Sequence, residues 1–176
     1  AFQQRHAEGG QRIENDLQTN GTMLDEDWAR FLKQHRFLVG LSIDGPREIH
    51  DHYRITKRAE PTFDKVFAAA IMLHKHGVRF NTLTCVHRYN ASKPLDVYRF
   101  LRREVGSTYI QFIPIVEIKG FENIAPGAWD TANLPIVGDP RCHPDHPESV
   151  VTPWSVAADE YGYFLCKIWD EWQSRD

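Results

Sequence analysis

Apolar positions along this chain change their period repeatedly. Short strand-like runs occupy residues 12–18, 37–43, 79–86 and 109–116, and between them apolar side chains recur three and four residues apart, the spacing of one helical face. The 37–43 run is nearly all apolar, as expected of a strand covered on both sides. In the 79–86 run Phe80, Thr82, Thr84 and Val86 alternate with Asn81, Leu83, Cys85 and the following His87. One face of that strand is the more polar and is expected to point inward. A helix is predicted over residues 25–35, with Trp28, Phe31 and Leu32 on one face and Asp25, Glu26 and Asp27 where the dipole favours anions. Thr62 is placed to cap a second helix carrying Phe63, Val66, Phe67, Ala70 and Leu73, which Gly77 ends. Ser92 and Pro94 open a third with Val97, Phe100, Leu101 and Val105, stopped by Gly106, and Tyr161, Phe164, Leu165, Ile168 and Trp172 mark a last one. Strand and helix in alternation predict an α/β fold, a parallel sheet built from βα repeats with right-handed crossovers.

The strand ends carry the candidate chemistry. The first run leads into Gln18-Thr19-Asn20-Gly21-Thr22 and the second into Leu41-Ser42-Ile43-Asp44-Gly45-Pro46. In a parallel sheet such polar ends gather on one rim, where ligands bind. Asn-Gly and Asp-Gly-Pro are also good turn formers in their own right; the occurrence of both, in this order, favours a ligand rim. His50, Asp51 and His52 could be metal ligands beside Asp44, yet adjacent helical side chains diverge by about 100°, so a turn-capping role is favoured. Cys142-His143-Pro144-Asp145-His146 offers one thiolate and two imidazoles without a partner pair, and reads as a solvated loop. Cys85 and Cys166 read as small core residues. Trp154, Trp169 and Trp172 could form a peptide-binding surface, although packing of the last helix is favoured.

Composition narrows the classes. With 176 residues and a net charge of −3, the chain has room for one sizeable core and no charge excess to hold a nucleic acid. No apolar run approaches the length needed to cross a bilayer. Three widely spaced cysteines make neither a disulfide framework nor a cluster motif, so a reducing compartment, the cytoplasm, is expected. The tripeptides Asn20-Gly21-Thr22 and Asn90-Ala91-Ser92 match a glycosylation pattern by chance. Residues 1–10 read as the end of a helix closed by Gly9-Gly10, and a chain that starts at Ala1 reads as a piece of a longer one. Three parts are expected: a partial barrel over 1–116, a long Pro-, Gly- and His-containing loop over 117–153, either functional or partly disordered, and an amphipathic helix over 154–176 packed on the barrel.

Taken together, the two strand ends above, His50-Asp51-His52-Tyr53-Arg54, Phe80-Asn81-Thr82-Leu83-Thr84, Gln111-Phe112-Ile113-Pro114 and the helix from Gly162 to Trp172 resemble the anaerobic sulfatase-maturating enzymes. These are radical S-adenosylmethionine (SAM) proteins of the SPASM type. The resemblance implies a partial, TIM-like (β/α)6 barrel in which a [4Fe-4S] cluster reductively cleaves SAM. The adenosyl radical so formed oxidises a Cys or Ser of a sulfatase polypeptide to formylglycine, the cofactors supplying the chemistry and the protein position and shelter. It further implies that Asn20, Ser42 and Arg54 contact SAM, Arg54 by gripping the methionyl carboxylate, and that backbone at Val116 holds adenine.

The chain also departs from the family pattern. It lacks the Cys-x3-Cys-x2-Cys motif whose three thiolates hold the cluster, the glycine-rich segment that meets the SAM amino group, the catalytic aspartate and the C-terminal cysteine-rich region with its auxiliary clusters. No metal ligand and no catalytic residue is therefore assigned, and these residues alone are not expected to turn over. Two other functions stay open: a radical SAM enzyme modifying a different peptide, and a non-catalytic module that binds a peptide on its rim.

Overall fold

Four strands lie side by side in chain order and all run parallel, β1 (Asn15–Thr19), β2 (Phe37–Ser42), β3 (Arg79–Val86) and β4 (Ile110–Pro114). The structure is a computed structural model and describes Gly9, residues 13–121 and residues 134–174. Apart from Gly9, the helix end expected in residues 1–10 lies outside the described residues, as does Arg12 of the first strand. The helices between strands are α1 (Glu26–Gln34), α2 (Arg47–Tyr53), α3 (Phe63–Lys75), α4 (Arg88–Ala91) and α5 (Pro94–Arg103), and α6 (Ala158–Gln173) closes the chain. The four-residue α4 was not predicted, being too short to show a period.

Register partners in a parallel sheet share a face, so the pairs Val39 with Phe80 and Leu41 with Thr82 mark the side that the helices cover. These four are buried, and so are Ile43, Thr84 and Val86. Two threonines on a covered face need internal partners: Thr84 donates to the Ile43 carbonyl at 2.8 Å and Thr82 to the Ser107 hydroxyl at 3.1 Å. The opposite face, with Gln18, Gly40 and Asn81 in one row, is half-buried to exposed. That is the polar face expected to point inward.

The caps follow the sequence in part. Asp25 caps α1, its Oδ1 accepting the Trp28 N–H at 2.8 Å, and Pro94 opens α5. Thr62 does not cap α3 with its side chain; Asp51 Oδ1 reaches from α2 and accepts the N–H groups of Thr62 and Phe63, both at 2.9 Å. This frees the Thr62 hydroxyl for another partner. Gly45 makes the turn from β2 into α2 against the core, where a Cβ would lie 3.1 Å from Ile49 and 3.2 Å from Val97, so no larger residue fits without displacement.

The aromatic faces are shallower than their spacing predicts. In α1 Ala29 and Leu32 are buried whereas Trp28 and Phe31 are partly exposed, because α1 flanks the outermost strand. In α6 the buried residues are Phe164 and Ile168. Trp154, Trp169 and Trp172 keep 36%, 52% and 45% of their surface exposed, which corrects their assignment to packing, and Cys166 is exposed rather than in the core. The described parts of the 117–153 stretch return beside β4 through backbone bonds, Lys119 N–H to the Val150 carbonyl at 2.8 Å and Thr152 N–H to the Glu117 carbonyl at 2.8 Å.

Phe164→Ala should lower the unfolding free energy by about 3–5 kcal/mol, the cost of emptying a filled aromatic site. Trp169→Ala should cost under about 1 kcal/mol as a partly exposed change. Urea denaturation of both variants checks the orientation of α6; equal losses would mean that the helix is rotated.

Candidate functional site

The carboxyl ends of the strands converge on one edge of the sheet. The last β1–β2 pair is Thr19 with Leu41, so the next residues, Asn20 and Ser42, stand side by side. Beyond β2 the Ile43 N–H still donates to the Leu83 carbonyl at 3.1 Å, and beyond β4 the Ile115 N–H donates to the Val86 carbonyl at 2.8 Å. Val116 follows at once and is exposed. Asn20, Ser42 and Val116 thus share one rim. Asn20 is partly occupied locally, its Oδ1 accepting from the Thr22 N–H at 3.2 Å and the Thr22 hydroxyl at 2.9 Å.

Arg54 caps the C-terminus of α2 and reaches back to the same edge. Its Nε donates to Asp44 Oδ2 at 2.6 Å and its Nη2 to Asp44 Oδ1 at 3.0 Å, with Cys85 Sγ 3.4 Å from Nη2. The fork read as a grip for a ligand carboxylate is therefore first a grip on a protein carboxylate. Asp44 is nearly fully buried and Arg54 about a quarter exposed; burial works against the guanidinium charge, but the Asp44 carboxylate outweighs it and raises the Arg54 pKa. No acceptor among the described residues meets Nη1, so that edge remains for an anion. Asp44 Oδ1 also accepts the Cys85 N–H at 2.9 Å, tying the ends of β2 and β3 together. Cys85 itself is half-buried on the open face and its thiol pKa is raised, by burial first and by Asp44 second. It is not the core residue expected.

His50, Asp51 and His52 diverge, as their helical spacing requires. His50 points into the core with no exposed surface, Asp51 caps α3, and His52 stacks on Tyr89 at 3.8 Å between ring centroids. His50 Nδ1 accepts the Asp44 N–H at 3.4 Å and its Nε2 lies 3.1 Å from Thr62 Oγ1, which donates to the Arg54 carbonyl at 2.5 Å. Burial lowers the His50 pKa to about 4 despite Asp44, so the ring is neutral at pH 7. His87, just past β3, is also buried and also lowered to about 4, first by burial. Its ring meets Tyr53 edge-on at 4.6 Å, and neither ring nitrogen has a hydrogen-bond partner among the described residues. Sequence reasoning singled out neither the Asp44–His50–Thr62–Arg54 circuit nor His87. The nearest signal was the polar run 50–54, which forms the end of α2 and its C-cap.

For a metal the described residues offer little. No group of three or more His, Cys, Asp or Glu among them is placed to hold an ion, and Cys85, Cys142 and Cys166 lie on β3, on a 3-10 turn (Pro140–Cys142) and on α6. His143 and His146 accept the N–H groups of Asp145 and Glu148, both at 3.1 Å, and so shape their own loop. An apolar groove between β4, α5 and α6, lined by Phe112, Leu165 and Trp172 among others, opens on the helix-covered side, away from the rim. No described helix is long and apolar enough to cross a membrane.

A parallel sheet covered by helices on one face and polar on the other is the α/β architecture of a partial barrel, and the chain belongs to the radical SAM superfamily, whose family model matches residues 2–101. Among individual proteins it is similar to the serine-type anaerobic sulfatase-maturating enzyme of Bacteroides thetaiotaomicron, 39% identical over 99% of this chain and 39% of that protein. The cysteine-type enzyme of Clostridium perfringens is 42% identical over 69% of this chain and 34% of that protein. Its fold matches solved structures of His6-tagged anSMEcpe with bound AdoMet (TM-score 0.73, 33% identity, 97% of this chain and 38% of that one) and of native anSMEcpe with bound AdoMet and the Cp18Cys peptide (TM-score 0.72, 33% identity, 97% of this chain and 40% of that one). The chain spans about two fifths of the length of the Bacteroides relative.

Two buried imidazoles held neutral make stability depend on pH. Their folded pKa values, about 4, lie below the ordinary histidine value of about 6.5. Their contribution is therefore complete above about pH 6.5 and is lost as pH falls through about 4. Thermal melts between pH 7.5 and 4 should show falling stability over that window, and His50→Gln should make the fall shallower than in the wild type. An unchanged slope in that variant would mean that His50 is not the buried titrating group.

Proposed function

We propose that the rim of β1 to β4 holds SAM in a sulfatase maturase that oxidises a Cys or Ser of a sulfatase polypeptide to formylglycine. The observation that carries this reading is the convergence of Asn20, Ser42 and Val116 on one edge, on a sheet similar to that of AdoMet-bound anSMEcpe. The donor set suits such a ligand. Asn20 and Ser42 supply neutral donors and acceptors for a carboxylate and a ribose, Arg54 turns its Nη1 edge to the methionyl carboxylate, and the backbone at Val116 pairs with adenine. Below the rim, Gly40 lets the Leu83 side chain close over β2, since a Cβ there would sit 2.8 Å from Leu83 Cδ1 and 3.3 Å from Gln18 Cγ.

When bound with its cluster, SAM supplies one-electron, hydrogen-abstracting chemistry, and this chain's part is to orient the sulfonium compound and keep its carboxylate paired. A [4Fe-4S] cluster does not fit the described residues, whose three cysteines sit on three separate elements. The polar concave face is the natural path for a client polypeptide, in keeping with the peptide-bound anSMEcpe structures. The same proposal includes the division into a partial barrel over 1–116, a loop over 117–153 and a packed helical segment over 154–176, and a cytoplasmic place of work in which the three thiols stay reduced.

Equilibrium dialysis of this chain against SAM tests the reading. Asn20→Ala and Ser42→Ala should each weaken binding about 3- to 10-fold, the worth of one ordinary hydrogen bond; Ser42→Ala should do so without shifting the melting temperature of the ligand-free chain, whereas Asn20→Ala also loses the bonds from Thr22. Full affinity in both variants would move the ligand elsewhere. Anaerobic treatment of the same chain with iron and sulfide should give no [4Fe-4S] absorbance and no 5′-deoxyadenosine from SAM, because its three cysteines sit on three separate elements. Stoichiometric cluster with cleavage would refute that expectation.

A further inference from the structure

We propose that His50 is a positioning residue for the SAM rim, tying the strand end that carries Ser42 to the chain at Arg54 and thereby fixing where the Arg54 guanidinium presents its unclaimed edge. The inference rests on the SAM-binding reading for its purpose, though the tie itself is a property of this chain.

The geometry allows one direction of donation around the circuit. A backbone N–H can only donate, so the Asp44 amide makes His50 Nδ1 the acceptor. The ring proton is then on Nε2 and goes to Thr62 Oγ1 at 3.1 Å, whose own proton goes to the Arg54 carbonyl at 2.5 Å. The main chain at Asp44 is thus linked to the main chain at Arg54 through two side chains, beneath the direct ion pair of the same two residues. The ion pair alone fixes the two planar groups relative to each other but leaves the last turn of α2 free to shift as a unit with the guanidinium. The second link removes that freedom, because it anchors the Arg54 backbone as well as its head group.

The surroundings favour a positioning role over simple filling. His50 has no exposed surface and packs against the Phe63 ring at 5.9 Å, edge to face. Its charged neighbours are Asp44, Arg54 and Asp51. At so buried a position a phenylalanine would pack with no polar atoms of its own to satisfy, whereas an imidazole there needs both of its nitrogens partnered. Both are, one by the amide of Asp44 in the turn after β2 and the other by Thr62 at the start of α3, whose hydroxyl passes the link to the Arg54 carbonyl.

The decisive variants keep the ring volume or one end of the link. His50→Phe retains the packing and removes both hydrogen bonds; His50→Gln offers an amide donor near the Nε2 position; Thr62→Val breaks the link at its other end. SAM affinity is measured by calorimetry, and the Arg54 Nε–H resonance is followed by NMR in the ligand-free chain. Expected are a loss of affinity of about tenfold in His50→Phe and Thr62→Val, the worth of a buried link, partial recovery in His50→Gln, and a shifted or broadened Arg54 resonance in the first two. A folded His50→Phe chain with wild-type affinity and an unchanged Arg54 resonance would overturn the inference, as would an Nδ1-protonated ring in the nitrogen spectrum of the wild type. Should His50→Phe not fold, Thr62→Val and His50→Gln decide by the same two readouts. Should the wild type bind no SAM at all, the functional reading falls, and the tie is judged by the Arg54 resonance alone.

Discussion

The ion pair between Asp44 and Arg54 is the constraint on which the rim depends. A carboxylate with 3% of its side chain exposed is costly unless its lone pairs are filled, and Asp44 fills them with Arg54 Nε, Arg54 Nη2 and the Cys85 amide. Each bond recruits a different piece of chain. The amide brings the end of β3 to the end of β2, and the guanidinium brings the last turn of α2 over both. Such a pair contributes little net stability against a well-packed apolar alternative, so its value lies in specifying one arrangement of three segments. Its burial also explains why Arg54 cannot swing out to meet a ligand: a ligand has to come to the guanidinium's remaining edge.

Much of this architecture was legible because it rests on period. Four apolar runs alternating with helical faces yielded four parallel strands in chain order, and the β3 run was matched at both ends, Arg79 and Val86. The rim was legible for a related reason: in a parallel sheet every strand end falls on the same side, so Asn20 and Ser42 had to be neighbours once β1 and β2 were adjacent. What sequence spacing does not encode is which distant side chain meets which backbone group. Asp51 caps a helix that begins twelve residues later, at Phe63, displacing the locally plausible Thr62. The displaced hydroxyl is what makes the Arg54 link possible. His50, Asp51 and His52, read as turn-capping residues because adjacent helical side chains diverge, make three separate contacts, and of the three Asp51 is the cap.

The aromatic residues show the other limit. Period identifies an apolar face but not how much of it a neighbour covers, and α6 packs chiefly on α4 and α5, with Phe164 meeting Phe112 of β4 edge-on. Phe164 and Ile168 take the covered line, and the tryptophans one turn on stay at its margin, Trp169 and Trp172 in edge contact at 5.1 Å. Cys166, between the two buried positions in sequence, faces outward for the same angular reason.

The two faces of the sheet differ in what they ask of their surroundings. On the helix side even the polar residues Thr82 and Thr84 are satisfied internally, so that layer makes no demand on solvent or ligand. On the concave side Gln18, Asn81 and Gln111 stay polar and at least partly exposed, and nothing in the core needs them for packing. Between the two faces lies the Asp44 circuit, buried like the core yet made of the residues that shape the rim. A rim whose backbone is set from below can vary in its exposed side chains, Asn20 or Val116, without losing its shape. By the same logic a change in the circuit shifts the backbone of the rim without altering the exposed side chains on it, and it is there that stability and the shape of the rim are coupled in this chain.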